Sequence, residues 1–161
     1  MERKKILDEI WKSQDEAYAL MAEYDSLPHY YGDDVLYQAE AYIIRHIGLA
    51  PGITTTELAA KLKKTPSACS QIVKKLVDKN LVLQERNAQN RRLYNLRLTK
   101  DGEKVFYDHI EFNECCQKQT FDMLSEFSID ELNSYLCVQK QINEAYRSDV
   151  QRSKEHFGKE S

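Results

Sequence analysis

Between Thr54 and Leu98 the apolar residues change from the period of a helix to the period of a strand. No other feature of this 161-residue chain constrains its fold as much. Thr54 opens the first helical stretch, and Glu57 follows three residues later in the capping-box arrangement. Leu58, Ala59 and Leu62 are its inward residues, so this helix is short. Lys63-Lys64-Thr65 joins it to a second helix, with Thr65 as N-cap and Pro66 at the first helical position, where a missing N–H costs nothing. Cys69, Ile72, Val73, Leu76 and Val77 recur on the inward face of this second helix, and Asn80 suits a left-handed cap. Leu81–Arg86 and Leu93–Leu98 then alternate. Tyr94, Leu96 and Leu98 share one face of the second run, while Asn95 and Arg97 share the other. The polar stretch Asn87–Arg92 turns the chain between them.

Helical segments flank this core on both sides. From Lys4 to about Leu27 the stripe is Ile6, Leu7, Ile10, Trp11, Tyr18, Met21 and Ala22. Leu27–Asp34, with its Pro, Gly and Asp pair, reads as a break. A helix is predicted from about Val35 to Leu49 on Leu36, Ala39, Ile43, Ile44 and Ile47, and Pro51-Gly52 stops it. Thr99 caps a long helix over Lys100–Glu126, and Ser128 with Glu131 caps a last one from Ile129 to about Lys154. The expected class is mainly α with a small β-hairpin wing. It divides into an N-terminal dimerisation helix and loop over 1–34, a winged helix-turn-helix over 35–102 and C-terminal dimerisation helices over 103–161. Ile6, Ile10 and Trp11 at one end, and Phe121, Leu124, Phe127, Leu132, Leu136 and Ile142 at the other, are more apolar surface than a monomer of this size covers.

The net charge of −3 conceals a division of charge along the chain. Ile53–Lys104 holds 12 Lys and Arg against 5 Asp and Glu, and the remainder holds 11 against 21. A basic segment inside an acidic chain is the footprint of a polyanion-binding module, the alternative being a solvated face of uneven charge. No apolar run approaches the roughly 20 residues of a membrane span, and Met-Glu-Arg-Lys-Lys leads into a charged helix and not a signal core. Cytoplasmic residence is expected, with no membrane partner. Cys69, Cys115, Cys116 and Cys137 form no CxxC pair, and neighbours on a helix point about 100° apart, so they read as reduced thiols.

Two short helices followed at once by a hairpin form a helix-turn-helix with a wing, whose second helix can enter a major groove. The outward residues of that helix are Ser67, Ala68, Ser70, Gln71, Lys74 and Lys75. Small residues near its start allow close approach to base edges, and Gln71 can bond adenine in bidentate fashion. Lys74 and Lys75, a turn later, suit phosphates, and Thr65 stands at the entry. The wing adds Arg86, Asn90, Arg91 and Arg92, a cationic tip suited to the minor groove. Arg97 serves equally well to brace the wing through a carboxylate. Double-stranded DNA is the expected partner, and no cofactor or metal is expected.

Thr56-Glu57-Leu58-Ala59, then Ser-Ala-Cys-Ser-Gln-Ile-Val-Lys-Lys-Leu over Ser67–Leu76, then Leu96-Arg97-Leu98-Thr99-Lys100-Asp101-Gly102 together resemble the MarR family of bacterial regulators. The Leu-Thr-x-x-Gly close of the wing and the Asp-x-Arg pattern before it are the more specific marks, and Arg92 matches the wing arginine. Asn90 stands where that family usually has Asp, so the salt bridge that commonly stiffens the wing base lacks its carboxylate here. The resemblance implies an obligate homodimer in which the first and last two helices interlock. A two-fold pair in turn implies a palindromic site with half-sites roughly 34 Å apart.

The resemblance also implies release of DNA, usually from a repressor, when a small aromatic or lipophilic compound enters the cleft beside the winged domain. Tyr30, Tyr31, Tyr37 and Tyr42 are the candidate lining, unless they simply pack the dimer core. Some relatives respond to oxidants through a cysteine, but Glu111 and Glu114 give Cys115 and Cys116 the wrong electrostatic setting for a reactive thiol. Others respond to zinc. Here His29, His46, His109 and His156 are scattered and read as surface residues, although His109 with Glu111 or Cys115, joined by His29, could converge. An enzyme is disfavoured, since no phosphate loop, nucleophile elbow or zinc-protease motif occurs. A winged helix used for protein–protein contact is the other alternative. Such a module has no reason to carry cations on both the wing tip and the outward helix face.

Overall fold

The computed structural model describes residues 2–90 and 92–158. In chain order the elements are α1 (Glu2–Ser26), β1 (His29–Tyr31), β2 (Asp34–Leu36), α2 (Gln38–Leu49), α3 (Thr55–Leu62), α4 (Pro66–Asp78), β3 (Val82–Arg86), β4 (Tyr94–Leu98), α5 (Lys100–Met123) and α6 (Ile129–Phe157). The chain divides into two units, Met1–Glu114 and Cys115–Ser161. No helix among the described residues is long and apolar enough to cross a membrane.

The core of the first unit gathers α2, α3, α4 and β4 around Ile43, Ile44, Ile47, Leu58, Val73, Leu76 and Leu96, all fully buried. Every predicted cap in this region forms. The Thr54 hydroxyl accepts from Glu57 N at 3.3 Å while Glu57 Oε2 accepts from Thr54 N at 2.8 Å, and Thr65 Oγ1 accepts from Ala68 N at 3.2 Å. Asn80 takes the left-handed conformation with φ 57°, letting Leu81 N reach Leu76 O at 2.9 Å. On α4, Cys69, Val73 and Leu76 are buried; Ile72 and Val77, expected beside them, are only half-buried at the edge of the core.

Two expectations need correction. Where a break is expected over Leu27–Asp34, residues 29–36 form a second, short hairpin, with His29 opposite Leu36 and Tyr31 opposite Asp34. Gly32, at φ 61°, turns it, a conformation closed to most side chains. Because β2 occupies Asp34–Leu36, α2 starts at Gln38 and not at Val35. Glu40 then caps α2 by accepting from Tyr37 N at 2.9 Å, and its other oxygen accepts from Lys79 Nζ at 3.1 Å, tying the start of α2 to the end of α4.

The wing leads directly into α5. Thr99 N donates to Leu81 O at 3.1 Å, the Thr99 hydroxyl donates to Asn80 O at 2.7 Å, and that same hydroxyl accepts from Gly102 N at 3.0 Å. A Cβ on Gly102 would lie 2.0 Å from the Leu81 carbonyl oxygen, so only glycine permits this seat. The Leu-Thr-x-x-Gly motif thus has a mechanical meaning: it fixes the start of α5 on the α4–β3 corner. By contrast α1 and α6 bury none of their residues, although Ile6, Leu7, Trp11, Leu20 and Met21 on α1 are more than half exposed. In the second unit Phe121, Phe127, Ile129, Leu132 and Leu136 are exposed as well.

Candidate nucleic-acid interface

The turn between α3 and α4 holds without glycine. Lys63 takes φ 51°, its N–H reaching Ala60 O at 3.2 Å while Lys64 N reaches Ala59 O at 3.0 Å, a left-handed stop that satisfies the last carbonyls of α3. Nothing in the sequence signals this, since a lysine is an unusual occupant of that region. The turn delivers α4 with its apolar face inward. Ser67, Ser70, Gln71, Lys74 and Lys75 are exposed on the other side, with Ala68 half-buried between them and Thr65 exposed at the cap. Burial raises the pKa of the Cys69 thiol on the inner face, and the nearby Lys64 only partly opposes the shift.

The wing is an antiparallel pair with Val82 opposite Leu98 and Arg86 opposite Tyr94. A third short segment borders β4, where Gly52 N donates to Leu96 O at 2.8 Å and Leu96 N to Ile53 O at 2.9 Å. Arg97 braces the wing through Glu85, Nε to Oε2 at 3.2 Å. Arg86 sits over the Tyr94 ring, 5.8 Å from its centroid. Arg92 and Asn90 are exposed at the tip, while Arg91 lies outside the described residues. Asn87, which sequence reasoning passed over as turn filler, makes more hydrogen bonds than its neighbours. Its Oδ1 accepts from Gln89 N and Asn90 N, both at 2.9 Å, and its Nδ2 donates to Asn95 Oδ1 at 3.0 Å. The repeated Asn at 87 and 90 was the available signal.

The four tyrosines named as a cleft separate. Tyr31 is buried, and its hydroxyl lies 2.7 Å from His109 Nδ1; the Tyr42 ring meets the His109 ring edge-on. Tyr30 and Tyr37 are 72% and 51% exposed. His109 is fully buried, correcting its reading as a surface residue: Tyr31 closes one ring nitrogen and Asn113 Nδ2 approaches the other at 2.9 Å. Burial, then Arg45 and His29, hold its pKa below the usual histidine value, and burial pushes Tyr31 up to about 12. His29 stacks edge-on with Tyr24 and Phe112, and its buried Nε2 finds no hydrogen-bond partner among the described residues. Sequence reasoning did not assign Phe112 and Asn113 to this cluster. The spacing of Asn113 four residues after His109 on one helix was the only clue. No group of three or more His, Cys, Asp or Glu among the described residues could hold a metal ion. Cys115 and Cys137 are exposed free thiols.

Residues 34–93 match the model of the MarR family. The HTH-type transcriptional regulator BilQ of Clostridium symbiosum is 28% identical over 111 residues, covering 62% of this chain and 76% of the relative. Among solved structures, Streptococcus pneumoniae FabT in complex with DNA has a TM-score of 0.67 at 20% identity, covering 91% of this chain and 98% of its own. Lactococcus lactis ZitR, a zinc-responsive MarR family member, has a TM-score of 0.76 at 17% identity, covering 88% and 99%. At such identities the structural likeness speaks to the fold, and it agrees with the mainly helical, winged architecture described above. The matched family and the BilQ relative are transcriptional regulators, not enzymes. Through the winged helix of residues 34–93 the chain is thus similar to the MarR family, and over 111 residues to a relative named as a transcriptional regulator.

Proposed function

We propose that this chain is a cytoplasmic repressor that binds a palindromic operator as a homodimer. Each copy lays α4 in a major groove and its wing along the neighbouring minor groove. The observation that carries this reading is the exposed face of α4. Ser67, Ser70 and Gln71 stand near its start, and Lys74 and Lys75 a turn later, beside a wing whose tip exposes Arg92. The small and amide side chains read base edges, and the cations displace counterions from phosphates. Pairing of two copies is supported by α1 and α6, which bury none of their residues as single helices. Each apolar side chain covered there gains about 1.5–3 kcal/mol.

Release by a small aromatic or lipophilic effector is supported by the cluster of Tyr31, Tyr42, His29 and Phe112 around His109, beside the hairpin that follows α1. A ligand there would bias the spacing of the two winged domains. The test is selection of duplexes from a random-sequence pool, followed by binding titrations against salt. Arg92→Ala should weaken binding to the enriched duplex and lower the salt slope by about 1. Failure to enrich any duplex, or an unchanged slope, overturns the reading and favours a protein–protein module.

A further inference from the structure

The wing tip runs from Asn87 to Leu93 without a glycine or proline, so nothing in its backbone chemistry stiffens it. Side chains do so instead. Asn87 N donates to Leu93 O at 3.0 Å, its Oδ1 gathers the N–H groups of Gln89 and Asn90, and its Nδ2 anchors the turn to Asn95 on β4. Asn90 continues the relay: its Oδ1 accepts from Arg92 N at 3.0 Å and its backbone oxygen accepts from Leu93 N at 2.9 Å. No carboxylate takes part in these bonds.

We propose that Asn87 is a positioning residue for DNA binding, folding the wing tip before DNA arrives and fixing, through Asn90, where Arg92 leaves the turn. The inference rests on the DNA-binding reading and deepens it. A turn of this length left to itself would lose its backbone freedom on binding. Here that ordering is completed on folding, so it does not weaken the complex. Because the relay is made of amides, it holds its shape at salt concentrations that screen an exposed ion pair.

The test uses the full-length protein and the duplex that the wild type enriches from a random pool. Asn87→Ala should weaken binding roughly tenfold, the factor that ordering about one backbone residue is worth. It should lower the melting temperature by no more than a few degrees, because the tip is outside the core and the freed backbone regains conformational entropy. Asn87→Ser, which keeps one acceptor, should recover part of the loss. In an Arg92→Ala background, Asn87→Ala should cost less than about twofold, since the two act through one contact. Effects that multiply independently, or wild-type affinity in Asn87→Ala, overturn the positioning role. A loss in Arg92→Ala alone would still leave the DNA reading standing. If the wild type enriches no duplex, both fall together.

Discussion

Replacing Gly102 by alanine sets two effects of opposite sign against each other. In an ordinary helix the change stabilises by about 1 kcal/mol, because glycine is the weaker helix former. Here the new Cβ would meet the Leu81 carbonyl oxygen at 2.0 Å and its carbon at 3.0 Å, both backbone atoms that cannot swing aside. Carbon and oxygen in ordinary contact lie about 3.3 Å apart, so the start of α5 must retreat by roughly 1.3 Å. That retreat parts Thr99 N from Leu81 O and the Thr99 hydroxyl from Asn80 O. Two such bonds are worth about 1 kcal/mol each, and the strain of overpacking adds about 1–3 kcal/mol. After the propensity gain is set against these costs, a net loss of about 2–4 kcal/mol remains, or roughly 4 to 16 °C in melting temperature. Thermal unfolding followed by circular dichroism, at one fixed protein concentration, measures it. An alanine variant as stable as the wild type, or more so, would refute the close approach of α5 to the α4–β3 corner.

Three further outcomes are expected from the buried polar groups. Tyr31→Phe removes the group facing His109 Nδ1 and should cost about 1–3 kcal/mol in urea denaturation; no loss would mean that the nitrogen finds another partner. Acidification should also destabilise the protein. His109 has a lowered pKa in the folded state, so the unfolded chain binds more protons from about pH 6.5 downward. The His109 contribution is then fully present above that pH and is lost as pH falls toward the folded value, at no more than about 1.4 kcal/mol per unit. His46 is lowered as well and acts in the same direction. A melting series from pH 7.5 to 5.5 should therefore be flatter in His109→Gln, and equal slopes would contradict the assignment. Glu40→Ala leaves Tyr37 N uncapped and removes the carboxylate facing Lys79. With the lysine partly in solvent the expected loss is about 1–2 kcal/mol, checked by the same denaturation.

The parts legible in sequence are those whose chemistry is local. Thr54 with Glu57, Thr65 with Pro66, and Ser128 with Glu131 mark helix starts through bonds that span three residues, and each forms as read. The wing was equally plain, because Tyr94, Leu96 and Leu98 alternate over enough residues to distinguish strand from helix. The hairpin of β1 and β2 was not, since two strands of three residues carry too little alternation and only Gly32 marked the turn. Burial of His109 is a long-range fact: its partner Tyr31 lies 78 residues away, and the one nearby hint, Asn113 four residues on, does not by itself show that the ring is enclosed. In the candidate interface the outward residues of α4 followed from helical period alone. The part played by Asn87 did not, because an asparagine in a turn looks the same in sequence whether its side chain faces water or organises the loop.

Hydroxyl-radical footprinting of the enriched duplex tests the groove-docked, two-fold arrangement most directly. Protection should fall in two symmetry-related stretches about one helical turn, roughly 34 Å, apart, and Gln71→Ala should weaken both alike. One unsymmetrical stretch, or protection indifferent to Gln71, would contradict it.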